Sequence, residues 1–145
     1  MKIEKLQLAD IPALLELYRE LLPVENSPQD MTFHYEAMLQ NPDYALLVVK
    51  EDGKLLGSAL GICCHCLAFQ GKPFLVIEDV IVRDGLRGKG IGRKLFEALE
   101  AFALEKGCAY SMLVSSGYRK EAHVFYEKMG FTEDVRGFRK MYQPL

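Results

Sequence analysis

One stretch of the sequence limits the possible folds of this chain more than any other. Phe74 to Arg83 is a nearly continuous apolar run rich in β-branched residues, which is typical of a strand buried on both faces. An amphipathic helix that ends before Gly107 follows after a short loop. The glycines of that loop and of the first helical turn are Gly85, Gly88, Gly90 and Gly92. The sequence therefore predicts a buried strand, a glycine-rich loop and a helix in direct succession.

The other predicted elements surround this unit. Helical periodicity predicts two helices between Asp10 and Asn41, and a third that carries Phe125. Asp52-Gly53 is a strong hairpin signal between two apolar stretches. The predicted strands, besides 74–83, are 1–8, 44–50, 54–64, 109–115 and two short ones near Phe131 and at 138–142. This order predicts a single α/β domain over residues 1–145, with a mixed, partly antiparallel sheet and helices on both faces.

Charge is concentrated beside the glycines. The chain has a net charge of −2, yet the segment from Arg83 to Lys94 carries five basic residues and one acidic residue. Such a local patch favours a compact polyanionic ligand and is too short for the charge stripe of a nucleic-acid-binding protein. No apolar run approaches the roughly 20 residues of a membrane span. Residues 1–10 lack the apolar core of a signal peptide, so we expect a cytoplasmic protein with no membrane partner.

The glycine-rich loop has the chemistry of an anion site. The first amide groups of a helix have no intrahelical acceptors, and the helix dipole is positive there. Glycines allow a ligand to approach this backbone closely, and the basic side chains add full charge, so the pattern favours a pyrophosphate. No Ser or Thr follows Lys89, which disfavours a P-loop, and Arg93 breaks the dinucleotide-binding spacing. The structural alternative is a solvated, flexible loop.

Two sequence blocks resemble one known family. Arg87-Gly88-Lys89-Gly90-Ile91-Gly92 resembles the Arg/Gln-x-x-Gly-x-Gly/Ala signature of the GCN5-related N-acetyltransferase (GNAT) superfamily, and the segment from Ala122 to Phe131 resembles its A-x-x-F-Y-x-x-x-G-F helix. The block that begins at Arg119 is similar to that of bacterial aminoalkylphosphonate acetyltransferases. The resemblance implies a GNAT fold with a mostly antiparallel sheet of six to seven strands. It also implies direct transfer of the acetyl group of acetyl-CoA to a primary amine, without a metal, and leaves a homodimer open.

The resemblance also implies how the cofactor binds. The backbone of the strand at Val80 to Val82 would pair with the pantetheine arm of CoA, and the amides of the loop would hold the pyrophosphate. The residues implied in cofactor binding are Val80, Ile81, Val82, Arg87, Gly88, Lys89, Gly90, Ile91, Gly92, Arg93 and Phe125.

Two residues are implied in catalysis. Tyr126 occupies the position where the family often has a tyrosine that protonates the departing thiolate, although its place on an apolar helical stripe also fits a core aromatic. Glu78 and Asp79 are acids inside an apolar strand, where a carboxylate is costly unless it is paired or functional. Strand alternation predicts opposite faces for the two. Glu78 is the preferred base for the amine and Asp79 a substrate-orienting group, while structural pairing of both acids is the alternative.

Other candidates carry less specific signals. By resemblance, His34 and Tyr35 in the second helix would line the acceptor pocket. Arg119 stands where many members of the superfamily have Asn, and would contact either an anionic substrate group or solvent.

Three of the four cysteines crowd into the segment Cys63-Cys64-His65-Cys66, which resembles a metal site by composition. In a strand only alternate side chains share a face, so this segment cannot surround one tetrahedral zinc ion, and we expect small buried thiols and no metal.

The acceptor expected from the sequence is the primary amine of a small metabolite, with a phosphate, phosphonate or carboxylate as a further group. Two alternatives stay open at this level. The first is acetylation of a protein N-terminus or lysine. The second is a CoA-binding or sensing module without turnover.

Overall fold

The computed structural model describes residues 1–144 and contains a single sheet with helices on both of its faces. The strands are β1 (Lys2–Lys5), β2 (Tyr44–Glu51), β3 (Lys54–Cys64), β4 (Phe74–Val82) and β5 (Ser111–Met112). The α-helices are α1 (Ile11–Leu21), α2 (Pro28–Leu39), α3 (Ile91–Glu105) and α4 (Lys120–Lys128), and one 3-10 turn (Leu8–Asp10) precedes α1. None of the helices within this range is both long and apolar enough to cross a bilayer.

The sheet has the order β1-β2-β3-β4-β5. All neighbouring strands are antiparallel except β4 and β5, which are parallel. The β2–β3 hairpin turns at Asp52 and Gly53, both with positive φ, as expected for its two-residue loop. The mixed α/β fold predicted from the sequence is confirmed.

The predicted number of strands is wrong for the described chain. Residues 1–144 form five strands, and the segments near Phe131 and at 138–142 form none. The physical reason lies at the sheet edge, because β5 has only two residues and offers almost no backbone for a further strand to pair with. The apolar side chains of the C-terminal segment stay exposed, as Phe138 shows with 87% of its surface accessible.

Two apolar clusters fix the helices to the sheet. The larger one joins α3 to β2, β3 and β4 through residues such as Leu95, Leu99 and Leu75. The smaller one joins α1 and α2 to the other face. Two glycines of β3 allow α3 to lie close, because a Cβ at Gly57 would come within 2.8 Å of Ile91 Cγ2 and one at Gly61 within 2.8 Å of Leu99 Cδ2.

We expect Gly57→Ala to lower the free energy of unfolding by about 1–3 kcal/mol, the usual range for overpacking. The new methyl group would also lie 3.0 Å from the backbone oxygen of Ile81, which cannot turn aside as a side chain does. Urea denaturation followed by circular dichroism measures the change. Gly117→Ala is the matched control because its Cβ would meet open space, so a similar loss of stability in both variants would contradict the packing argument.

Candidate active site

Strand β4 contains a bulge at the two acidic residues. Ser58 of β3 faces Ile81, but Leu60 faces Glu78, so β4 has one extra residue in this interval. Asp79 has φ +53°, a left-handed conformation that few residues other than glycine adopt. The bulge interrupts the strict alternation of side chains, so the predicted placement of Glu78 and Asp79 on opposite faces does not hold.

The packing shows this interruption of the side-chain alternation in β4. Before the bulge, Leu75 and Ile77 pack into the α3 cluster, whereas after it Val80 and Val82 do so. Ile81 is buried as well but does not belong to that cluster. The bulge therefore changes which residues of β4 face α3.

From residue 77 onward, the edge of β4 that faces away from β3 has no strand partner within residues 1–144. Its pairing with β5 covers only Leu75 with Ser111 and Val76 with Met112. From residue 77 to residue 82, no strand within residues 1–144 pairs with this edge of β4. An unpaired edge offers backbone donors and acceptors to another extended chain. The predicted pantetheine-binding residues, 80–82, lie in this part of the strand.

The loop after β4 has open space beside its glycines and, within residues 1–144, backbone amides without partners. Gly85, Gly88 and Gly90 all have φ +81°, and a Cβ at each would meet nothing within 4 Å. The first helical hydrogen bond runs from the N–H of Lys94 to the carbonyl of Gly90. Between residues 87 and 93, no backbone N–H finds an acceptor in the described part of the chain. Consecutive free amides at the start of a 15-residue helix form a site for an anion.

The charged side chains of the loop are free as well. Arg87, Lys89 and Arg93 are exposed, and none forms an ion pair within residues 1–144. Ile91 contributes only its amide to this surface, because its side chain is buried against β3.

Helix α1 and strand β3 fix the start of the loop. The N–H of Asp84 donates to Glu20 Oε1 at 2.7 Å, and Arg83 Nε donates to the carbonyl of Leu55 at 2.9 Å. These contacts hold the point where the chain leaves β4, so the loop begins from a fixed position.

The two sequence blocks meet in the structure. A Cβ at Gly92 would lie 3.0 Å from Phe125 Cζ, so the absence of a side chain at the start of α3 allows α4 to approach it. Phe96 of α3 contacts the rings of Phe125 and Tyr126, with centroids 5.4 and 5.7 Å away. Burial raises the pKa of Tyr126, and the positive charge of Arg119 acts in the opposite direction. A tyrosine with a raised pKa keeps its proton at neutral pH and can donate it.

The acidic pair of β4 lies near groups from two other parts of the chain. Partial burial and the charge of Asp79 raise the pKa of Glu78, while Arg139 in the C-terminal segment lowers it. Burial raises the pKa of Asp79 as well. Tyr18 of α1 is the second neighbour, because desolvation and the charge of Asp79 both raise its pKa. The two carboxyl groups therefore hold their protons to higher pH than isolated ones.

Sequence reasoning missed Tyr18 as a site residue. It lies on the apolar stripe of α1, where its spacing with Leu14 and Leu21 predicts a core position. Its hydroxyl group was the available signal, since a buried tyrosine hydroxyl usually has a polar partner.

The structure gives the two candidates of the second helix different surroundings. Tyr35 is 4% exposed in the smaller apolar cluster, and its hydroxyl donates to the carbonyl of Leu6. Its assignment to an acceptor wall is therefore replaced by a structural one, because burial and this hydrogen bond occupy the side chain. His34 is exposed and contacts the ring of Phe33 edge-on. Arg119, in contrast, lies near Tyr126 at the start of α4.

Comparison with known proteins identifies the class. The model of the acetyltransferase (GNAT) family matches residues 11–131, so the chain belongs to that family. It is 25% identical over 138 residues to an uncharacterized N-acetyltransferase, YhfO, of Bacillus subtilis, which covers 93% of this chain and 92% of that protein. Thialysine N-epsilon-acetyltransferase of Sus scrofa is 26% identical, over 83% of this chain and 78% of its own.

A solved structure gives the same result. The crystal structure of glucosamine-6-phosphate N-acetyltransferase from Arabidopsis thaliana aligns with a TM-score of 0.86 at 28% identity, and the alignment covers 98% of both chains. Family, relatives and fold agree that this protein is an acetyl-CoA-dependent N-acetyltransferase.

Proposed function

We propose that this enzyme acetylates the primary amine of a small metabolite that also carries an anionic group. The observation on which this rests is the run of free backbone amides from residue 87 to residue 93, directly after a strand with a free edge. Such amides fit the pyrophosphate of acetyl-CoA, whose positioning is the first requirement of the reaction. When bound, acetyl-CoA supplies an activated acetyl thioester.

Three groups of residues hold the cofactor in this proposal. The backbone of Val80, Ile81 and Val82 pairs with the pantetheine arm along the free edge of β4. The amides of Arg87 to Arg93 hold the pyrophosphate, with added charge from the side chains of Arg87, Lys89 and Arg93. Phe125 packs on Gly92 and keeps α4 beside this site.

Two residues carry out the proton transfers. Glu78 removes a proton from the substrate ammonium group, because only the neutral amine can attack a thioester carbonyl. The amine nitrogen then bonds to the acetyl carbon, the bond between that carbon and sulfur breaks, and the nitrogen releases its second proton to solvent to give the neutral amide. Tyr126 donates its hydroxyl proton to the departing thiolate and later regains one from solvent. Asp79 adds negative charge beside Glu78, and Asp79 and its neighbour Tyr18 orient the acceptor.

Charge around the acids supports the choice of acceptor. Glu78 and Asp79 provide negative charge for an ammonium group, and Arg139 lies near Glu78 while Arg119 lies near Tyr126. An acceptor with an amine and an anionic group at opposite ends would satisfy both signs. Curated relatives include glucosamine 6-phosphate N-acetyltransferase of Trypanosoma brucei brucei, named for such a substrate, at 33% identity over 60% of this chain.

The direct test is release of free CoA thiol from acetyl-CoA in the presence of single amines. The panel contains amino sugars with and without phosphate, aminoalkylphosphonates, thialysine, and peptides with a free N-terminus or lysine. We expect turnover with at least one small anionic amine and faster turnover than with its uncharged analogue. Turnover with peptides alone would contradict the small-molecule proposal. CoA binding without turnover by any amine would favour a sensing module instead.

We expect Tyr126→Phe to lower kcat on the order of 100-fold, the low end of the range for general acid catalysis, because the thiolate then leaves without its proton donor. Packing against Phe96 needs only the ring, so CoA affinity should stay within about twofold. Steady-state kinetics and calorimetric CoA titration measure the two effects. Wild-type turnover in this variant would remove the acid role.

We expect Arg139→Ala to raise KM for an anionic amine about fivefold, since an exposed charge contributes about 1 kcal/mol. KM for acetyl-CoA should not change, because Arg139 lies near Glu78 and not in the loop. Arg136→Ala is the matched control in the same segment. Equal effects of the two substitutions would show that only general surface charge matters.

A further inference from the structure

A second cluster of chemically active side chains lies at the opposite end of the sheet. Asp43, Cys63 and His65 each place a ligand atom within 4.8 Å of the others. His65 Nε2 is 3.0 Å from Asp43 Oδ2. The thiol of Cys108 lies beside that of Cys63 but outside this group of three. One carboxylate, one imidazole and two thiols thus converge from distant parts of the sequence.

The backbone holds these donors in place. Asp43 immediately precedes β2, and the N–H of Cys63 donates to its carbonyl at 2.8 Å. The N–H of Asp43 itself donates to Asn41 Oδ1 at 2.9 Å. Cys108 follows α3, and its N–H donates to the carbonyl of Ala103 at 2.9 Å. These bonds place three of the donors before any ligand binds, which is the main requirement of a metal site in a folded domain.

We propose that Cys63, Cys108, His65 and Asp43 bind a structural Zn²⁺ ion. Thiolate and imidazole ligands together select zinc among the common divalent ions, and four protein ligands are the usual number in structural sites. Bond lengths of about 2.0–2.3 Å in a tetrahedron place neighbouring ligand atoms roughly 3.3–3.8 Å apart. The ligand atoms of Asp43, Cys63 and His65 already lie within 4.8 Å of one another and reach this spacing through small side-chain rotations. The thiol of Cys108 would join them from its place beside Cys63.

Local charge agrees with this ligand set. Two thiolates and one carboxylate carry three negative charges, which Zn²⁺ and one neighbouring cation balance. That cation is Lys106, whose Nζ lies 3.8 Å from Asp43 Oδ1. The other carboxylate oxygen, Oδ2, contacts His65 Nε2 at 3.0 Å, and a bound ion would replace this contact. An outer partner on a ligating carboxylate is a common feature of metal sites.

The site was not predicted from the sequence because two of its ligands are remote in the chain. Alternation along the strand separates Cys64 from Cys63 and His65, and it leaves only two donors on this face. Asp43 and Cys108 complete the set only after β2 and the α3–β5 connection have packed. The site lies beside the start of β4, and the nine residues of that strand place it about 26 Å from the glycine-rich loop. Zinc would therefore tie the sheet together without taking part in acetyl transfer.

The test uses the full chain, reduced with a phosphine, stripped with a chelator and then dialysed into metal-free buffer. Competition with a chromophoric chelator measures Zn²⁺ binding, for which we expect one ion per chain with a dissociation constant below about 1 µM. Absorption of the Co²⁺ form counts the thiolate ligands through their charge-transfer band. We expect the intensity of two thiolates, reduced by half in Cys63→Ser and in Cys108→Ser.

His65→Ala and Cys66→Ser form the matched pair of variants. His65 is exposed, so its removal should leave the fold intact and weaken Zn²⁺ binding at least about 100-fold, the upper end of the loss for an outer-shell partner. Cys66 donates to the carbonyl of Lys72 and lies outside the cluster, so its variant should bind as the wild type does. Binding weaker than about 100 µM, a Co²⁺ spectrum without thiolate bands, or equal affinity of these two variants would overturn the proposal.

Discussion

Gly90→Val should weaken CoA binding about 1,000-fold. Gly90 is the residue before α3 and has φ +81°, a conformation that a β-branched residue adopts only with strain. Valine would move this residue into another region and turn the neighbouring amides away from a common point. Loss of two charge-assisted hydrogen bonds, at roughly 2 kcal/mol each, corresponds to about three orders of magnitude in the dissociation constant. Isothermal titration calorimetry with CoA measures the change.

Gly53→Val separates binding from general strain. Gly53 has a similar φ of +75° with open space around it, but it lies in the β2–β3 turn, away from the loop. Both variants should lose comparable stability, and only Gly90→Val should lose CoA affinity. Retention of wild-type affinity by a folded Gly90→Val protein would show that these amides do not hold the pyrophosphate, and the proposed mechanism would lose its foundation.

The strand, loop and helix at the centre of the fold could be predicted because their signals are local. A nine-residue apolar strand, glycines that require positive φ and a periodic helix each follow from a few neighbouring residues. The hairpin at Asp52-Gly53 is of the same kind. The cofactor-binding surface is continuous in sequence, so its geometry follows from these elements alone.

The acceptor side of the site could not be predicted in the same way. Whether Glu78 and Asp79 share a face depends on a bulge in β4. The sequence contains no signal for this bulge, because the residue with positive φ is Asp79 and not a glycine. Tyr18 and Arg139 approach the acids only through the packing of α1 and the course of the C-terminal segment. Tyr35 is the opposite case: the family resemblance predicts it at the acceptor pocket, and packing places it in the core.

The missing C-terminal strands have a similar explanation. Their alternating apolar residues satisfy the local pattern of a strand, yet a strand also needs a partner with free backbone groups. β5 ends at Met112, and Gly137 instead passes so close to Val114 that a Cβ there would lie 2.5 Å from Cγ1. Local propensity and available partners are separate requirements, and only the first can be read from sequence.

The strongest test of the chemistry concerns the base. Glu78→Gln should lower kcat/KM about 1,000-fold at pH 7, within the range for loss of a general base, because the amine then loses its proton acceptor. Partial burial and the charge of Asp79 raise the pKa of Glu78 above its usual value near 4.5. The carboxylate form is the base, so wild-type kcat/KM should fall as pH drops through this raised pKa, by about tenfold per pH unit below it. A pH–rate profile of the variant should lack this acidic limb.

Asp79→Asn discriminates between the two acids. Removing the charge of Asp79 takes away one cause of the raised pKa of Glu78, so the acidic limb should shift to lower pH while most activity persists. The two variants keep nearly the same side-chain volume, and neither acid forms a hydrogen bond or ion pair within residues 1–144 that its amide would lose. If Asp79→Asn abolishes the limb and Glu78→Gln preserves it, the base is Asp79, and the left-handed backbone at that position then serves to aim the catalytic carboxylate.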